Sequence, residues 1–167
     1  MGDDMMKPAE PQKEHHWLQK LVGEWTYENE ATMGPDQPPM KSTGTETVRS
    51  LGGLWTLAEG QGQTPGGSAA TTLMTLGFDL DTKRFVGTWI GSMMTMLWVY
   101  DGELEADGRK LSLYSEGPSM SGDGTMGKYR DAIEIVDDDH RIMTAEFQGE
   151  DGSWSKFMTA HYRRKTA

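Results

Sequence analysis

Cysteine is absent from the 167 residues, which excludes disulfides, thiolate metal sites and thiol catalysis together. Long apolar runs are missing as well. No stretch approaches the ~20 residues of a membrane-spanning helix, and residues 1–11 contain no apolar segment that could serve as a signal-peptide core. Met6 stands where a myristoylation motif requires Ser or Thr, so Gly2 is not a lipid anchor. Positive charge is scarce: 16 Lys and Arg face 26 Asp and Glu, a formal charge of -10. Such a surface repels a phosphate backbone, and the one basic cluster, Arg163-Arg164-Lys165, is short. Nucleic acid is therefore excluded as a partner, and a soluble, cytoplasmic protein is expected. Serine nucleophile elbows, phosphate loops and zincin motifs do not occur, and no aspartate run has calcium-loop spacing.

Two residue types are plentiful. Glycine numbers 21 and methionine 13. Glycine makes tight turns and lets strands bend sharply, while methionine fills irregular apolar space. Residues 1–11, polar and carrying two prolines, read as a disordered leader. Residues 12–167 read as a single β-barrel domain, a length that buries roughly 70% of the unfolded surface.

From Gln12 the pattern is helical. His15, Leu18 and Val22 fall at i, i+3, i+7, with Trp17 and Leu21 four apart beside them. Gly23 supplies the stop after about three turns. Ten β-like runs follow: 25–31, 43–49, 54–59, 71–78, 84–90, 95–104, 110–115, 129–136, 141–148 and 153–163. Short Gly- and Asp-rich turns separate most of them. No crossover helix intervenes, so the sheet is antiparallel and meandering, and closure removes its exposed edges. The fold class is all-β: an antiparallel up-and-down barrel of about ten strands, with a short N-terminal helix at one opening. A two-sheet sandwich is the alternative. Counting connections puts the 32–42 and 62–70 loops with the 92–95 and 106–109 turns at one end, and the 117–127 loop at the other. That division splits the methionine-bearing loops.

Leu21-Val22-Gly23-Glu24-Trp25, together with His161-Tyr162-Arg163-Arg164, resembles the calycin pattern of lipocalins and fatty-acid-binding proteins. There a Gly-x-Trp opens the first strand and a basic residue of the last strand lies over the indole. The resemblance implies that Arg163 or Arg164 closes the barrel over Trp25, a contact worth ~0.5–2 kcal/mol. More narrowly, three motifs in order resemble the domain-of-unknown-function 1579 family. They are His16-x-Leu18-x-x-Leu21-x-Gly23-Glu24-Trp25, Arg49-x-Leu51-Gly52-Gly53 and Leu76-Gly77-Phe78-Asp79, and the likeness spans Glu14 to Arg164. It implies a barrel and supplies no catalytic residues.

A barrel encloses space, and the first functional reading is a non-enzymatic carrier or sensor of a small apolar or amphipathic molecule. The candidate cavity residues are Trp25, Tyr27, Trp55, Trp89, Met96, Trp98, Tyr100 and His161. Alternation puts Met96, Trp98 and Tyr100 on one face, but Leu97 and Val99 would serve the interior as well. No cofactor is expected. The second reading is an enzyme using Tyr100, Glu46, Arg49 or His161 as acid or base. The late histidine also resembles that of nitrobindin-like haem proteins, which would make His161 an iron ligand. Trp25, however, is followed by Thr26-Tyr27-Glu28 rather than that group's glycines. A third reading is a module that self-associates into a homo-oligomer through an apolar outer face. Metal ligation is not expected. His15 and His16 point about 100° apart on a helix, His140 sits in an aspartate turn, and Met94-x-Met96 reads as core rather than as a copper site.

Overall fold

Period-two alternation gives each strand one face for a core and one for water, and here that alternation repeats until the sheet meets itself. The computed structural model describes residues 7–32, 36–63, 67–119 and 121–165. A helix, α1 (Lys13–Gln19), precedes ten strands: β1 (Gly23–Ala31), β2 (Met40–Leu51), β3 (Trp55–Gln63), β4 (Ala69–Asp79), β5 (Arg84–Gly91), β6 (Trp98–Leu104), β7 (Lys110–Pro118), β8 (Met126–Asp137), β9 (His140–Gln148) and β10 (Trp154–Arg164). Each strand pairs antiparallel with its chain neighbour, and β10 returns to β1 to close the barrel.

Local chemistry explains the turns. Asp79, Asp107, Asp137 and Asp151 each accept, on Oδ1, the backbone N–H two residues on, the aspartate turn that competes with strand pairing. Gly52 and Gly53 both take positive φ (67° and 76°) between β2 and β3.

The helix differs from the sequence expectation. It has two turns, ending at Gln19, and Leu21 and Val22 then bond back three residues to Leu18 and Gln19. Gly23 does not stop the helix; it opens β1 at φ 140°, where a Cβ would lie 2.2 Å from Arg164 Nη1. The guanidinium threads that gap to donate to the carbonyls of Val22 at 2.7 Å and Lys20 at 3.1 Å. Arg164 therefore caps carbonyls that the short helix leaves open. His15 Nδ1 accepts the Gln12 N–H at 2.8 Å, which leaves Nε2 to donate to the Phe78 carbonyl at 3.0 Å. With Trp17 donating to the Gly108 carbonyl at 2.8 Å, these bonds fasten α1 across one end.

A strand that crosses the barrel once must place successive connections at opposite ends. The helix end accordingly carries the connections after β2, β4, β6 and β8, and the other end those after β1, β3, β5, β7 and β9. This corrects two expected placements: the 106–109 turn lies at the helix end, and the 117–127 loop shares the open end with the 92–95 turn. Met33 and Met120 lie outside the described residues. Residues 95–97, expected as strand, are irregular, and β6 begins at Trp98.

The core is concentrated at the helix end. Leu18, Leu111 and Leu113 are fully buried, and Trp25, Leu76, Phe85 and Ile133 are each 2% exposed. Trp17 packs edge-on to Phe85, and Phe85 to Phe78.

Candidate functional site

Above that core the barrel is hollow. A cavity of about 630 Å³ opens at the end away from α1. Aromatic walls come from Tyr27, Trp89, Trp98, Tyr100, Tyr129, Phe157 and Tyr162; Met94, Met96, Met143 and Met158 supply most of the remaining apolar surface. Glycines make room for the rings. A Cβ on Gly62 would lie 2.1 Å from the Tyr27 hydroxyl oxygen, and one on Gly44 would lie 2.4 Å from it. At the rim, the Trp98 N–H donates to the Met94 sulfur at 3.4 Å, and its ring meets Tyr129 edge-on.

One wall is split. β6 and β7 pair from Asp101↔Tyr114 to Leu104↔Leu111, and beyond that their upper halves are not paired. Trp98 occupies the opening, so close to Gly117 that a Cβ there would stand 2.2 Å from its ring. A shallow outer groove carrying Leu97 and Val99 abuts the same place, and Ser115 and Tyr129 line both spaces.

The cavity's polar groups are few. Tyr100 donates to Asp131 Oδ2 at 2.6 Å. Burial raises the Asp131 carboxyl to about 6, the Tyr100 bond only partly opposing it. Burial first, and then the Asp131 charge, raises the Tyr100 phenol well above its ordinary value. Tyr162 and Tyr27 are raised by burial and then by the Glu46 charge. Glu46 itself is paired with Arg141, whose guanidinium lies 4.0 Å from the Tyr162 ring centroid and 4.8 Å from that of Trp25. Asn29 Nδ2 donates to Ser42 Oγ at 3.3 Å, while its buried Oδ1 has no partner among the described residues.

The sequence profile of the family described as "Protein of unknown function (DUF1579)" matches residues 10–164. The chain belongs to that family. No curated protein matches it. Among solved structures, Rv2717c from M. tuberculosis superposes with a TM-score of 0.65 at 12% identity, covering 94% of this chain and 100% of that one. The S-type phycobiliprotein lyase CPES from Guillardia theta gives 0.60 at 10% identity, covering 94% and 99%. At such identities the likeness is one of fold.

Within this DUF1579 barrel, five of the residues expected in a cavity line it: Tyr27, Trp89, Met96, Trp98 and Tyr100. Trp25 lies in the floor, 2% exposed, its N–H bonded to the Leu21 carbonyl at 2.9 Å. Two expected placements are corrected. Trp55 is 39% exposed on the outer face, where a Cβ on Gly77 would come within 2.4 Å of its ring. His161 also faces outward, stacked on His140 with Nδ1 3.0 Å from the neighbour's Nε2. Burial, then Arg163 and His161, depress the His140 pKa. A histidine on the outer wall cannot ligate a haem held in the interior, so that reading does not fit. Arg163 is exposed, and Arg164 is the arginine over Trp25, 4.3 Å from its ring centroid. Of the acid–base candidates, Glu46 and Tyr100 face the cavity, while Arg49 is exposed outside.

Asp131 and Arg141 were missed. Both had a signal: each is a charged residue at an inward position of an otherwise apolar face. One sits in Tyr129-x-Asp131-x-Ile133-x-Ile135, the other in Arg141-x-Met143-x-Ala145-x-Phe147. Among the described residues no cluster of His, Asp and Glu can hold a metal ion, and no helix is long and apolar enough to cross a membrane.

Proposed function

We propose that this protein carries or senses a small, mainly apolar molecule held inside the barrel. The observation that supports this reading is the cavity itself. At about 630 Å³ it falls within the ~300–1,000 Å³ usual for ligand pockets, and like them it is mostly apolar with a few convergent polar groups. Aromatic and thioether walls offer dispersion contact without demanding one ligand shape.

The energetics bound the affinity. A ligand burying ~200 Å² of apolar surface gains about 5 kcal/mol. That gain alone corresponds to a Kd of about 0.2 mM. Losses of ligand freedom weaken it, so micromolar binding requires roughly twice that surface, ~400 Å². Native mass spectrometry before and after organic extraction tests whether the purified protein brings a small molecule with it. An environment-sensitive apolar dye tests the empty barrel. It is expected to bind in the micromolar range, to shift tryptophan emission through Trp89 and Trp98, and to lose affinity in Trp98→Ala. Failure of every such dye to bind below about millimolar, with the tryptophan emission unmoved, overturns the carrier reading.

A further inference from the structure

Resting on that reading, we infer that the bound molecule is an organic cation: a protonated amine or ammonium group on an apolar body, anchored by Asp131. The argument is one of charge inventory. Two carboxylates line the cavity, Glu46 and Asp131, and no Lys, Arg or His lines it among the described residues. The two acids differ in what they already hold. Glu46 is committed to Arg141, a guanidinium itself held against the Trp25 and Tyr162 rings beneath the hollow. Asp131 accepts a single hydrogen bond, from Tyr100, and faces the cavity with acceptor capacity to spare.

A carboxylate within a wall of protein is costly unless paired, and the pairing charge has to come from the cavity's occupant. The walls favour the same partner. Trp89, Trp98 and Tyr129 line the hollow that Asp131 faces, and aromatic faces attract cations. An anionic lipid such as a fatty acid meets the reverse situation: a second negative charge beside Asp131, and the interior guanidinium already taken. The formal charge of -10 adds long-range attraction for cations over anions.

The experiment compares three probes of one shape, 4-phenylbutylamine, 4-phenylbutanol and 4-phenylbutanoate, by calorimetry at pH 7.5 and low salt. The amine is expected to bind about tenfold or more tighter than the carboxylate, and tighter than the alcohol. Asp131→Asn keeps a partner for Tyr100 and removes the charge. It is expected to bring amine and alcohol to within about threefold of each other.

If that variant does not fold, the wild-type protein supplies the same answer through pH. Tyr100 faces Asp131 from β6, Leu113 and Ala145 lie opposite it on β7 and β9, and Glu46, Tyr27, Tyr129 and Tyr162 complete the titratable lining. With the carboxyl held up to about 6, amine binding is expected to weaken as pH falls from 7.5 to 5, with alcohol binding unchanged. A carboxylate that binds as well as the amine overturns the inference. So does an amine preference that survives Asp131→Asn, or one that ignores pH in this range. If the alcohol binds under any of these outcomes, the carrier reading stands without the cation. If none of the three binds, the cation inference falls, and the apolar dye decides the carrier reading separately.

Discussion

The two ends of this barrel are built from the same ten strands, yet one is solid and the other hollow. At the helix end, Leu76, Phe85, Leu111, Leu113 and Ile133 project inward against Leu18 and Trp17 from the plug, and the space left among Leu21, Val48, Leu76 and Ile133 is only about 40 Å³. Toward the open end, Gly44, Gly62 and Gly117 leave their side-chain positions to the Tyr27 and Trp98 rings, which line the chamber instead of filling it. Strand number sets the diameter of a barrel; side-chain volume then decides whether a given layer is core or chamber. The charges divide similarly. The guanidiniums of Arg141 and Arg164 are stacked on Trp25 in the floor, whereas the carboxyl of Asp131 faces the chamber without a basic partner among the described residues.

Tryptophan replacement at the two ends tests the contrast most severely. Trp25→Ala removes a ring that two arginines stack upon and is expected to cost about 3–5 kcal/mol, as buried aromatic truncations do. Chemical denaturation measures it, and a loss below about 1 kcal/mol would mean that the floor repacks freely.

Asp131→Asn should act in the opposite direction, and only at neutral to alkaline pH. The folded state raises this carboxyl from 3.8 to about 6, so between those values the native protein holds a proton that the unfolded chain has released. Stability from this group is therefore full below about pH 4 and lost as pH rises through 6, by as much as about 3 kcal/mol. Thermal melts are expected to show Asp131→Asn more stable than wild type at pH 8, with the gap closing at pH 4.5. A gap independent of pH would place the carboxyl in solvent.

Gly117→Ala puts a Cβ where the Trp98 ring lies. It is expected to cost about 1–2 kcal/mol and to move the tryptophan emission, with little change in the far-ultraviolet circular dichroism. The smallest stability change should come from Trp98→Ala at the rim, about 1 kcal/mol or less because the site borders open space. That variant is nonetheless the one expected to weaken apolar dye binding, while Trp25→Ala lines nothing the dye touches. Equal stability losses for the two tryptophans would erase the distinction between the ends.

Much of the architecture was legible in the chain because it is local. The alternation of β1, β4, β5, β7 and β9 and the four aspartate turns depend on residues a few positions apart, so strand count and meander followed directly. Helix length was misread because Gly23 signals a stop in any sequence, whereas its role here is to let Arg164 pass, a residue 141 positions away. Three of the eight cavity candidates lie elsewhere. Parity explains two: in β10, past the bulge that also turns Phe157 to the cavity, the inward positions are 158, 160 and 162, so His161 shares the outer face with Arg163. Trp55 precedes the inward Thr56 and falls outside for the same reason.

Periodicity along one strand determines that there are two faces, and composition determines that one of them is apolar. Neither says which face turns inward when both carry large residues, as Trp98 and Tyr100 compete with Leu97 and Val99. Closure of β1 against β10 settles that choice for every strand at once, since each neighbour's register is locked to the last. The same closure brings Asp131 to Tyr100 and Arg141 to Glu46, pairs 31 and 95 positions apart. Local sequence thus determined the strands, the turns and the plug. Only the closed barrel decided what lies inside it, because an interior is a property of the whole circle of strands and of none of them singly.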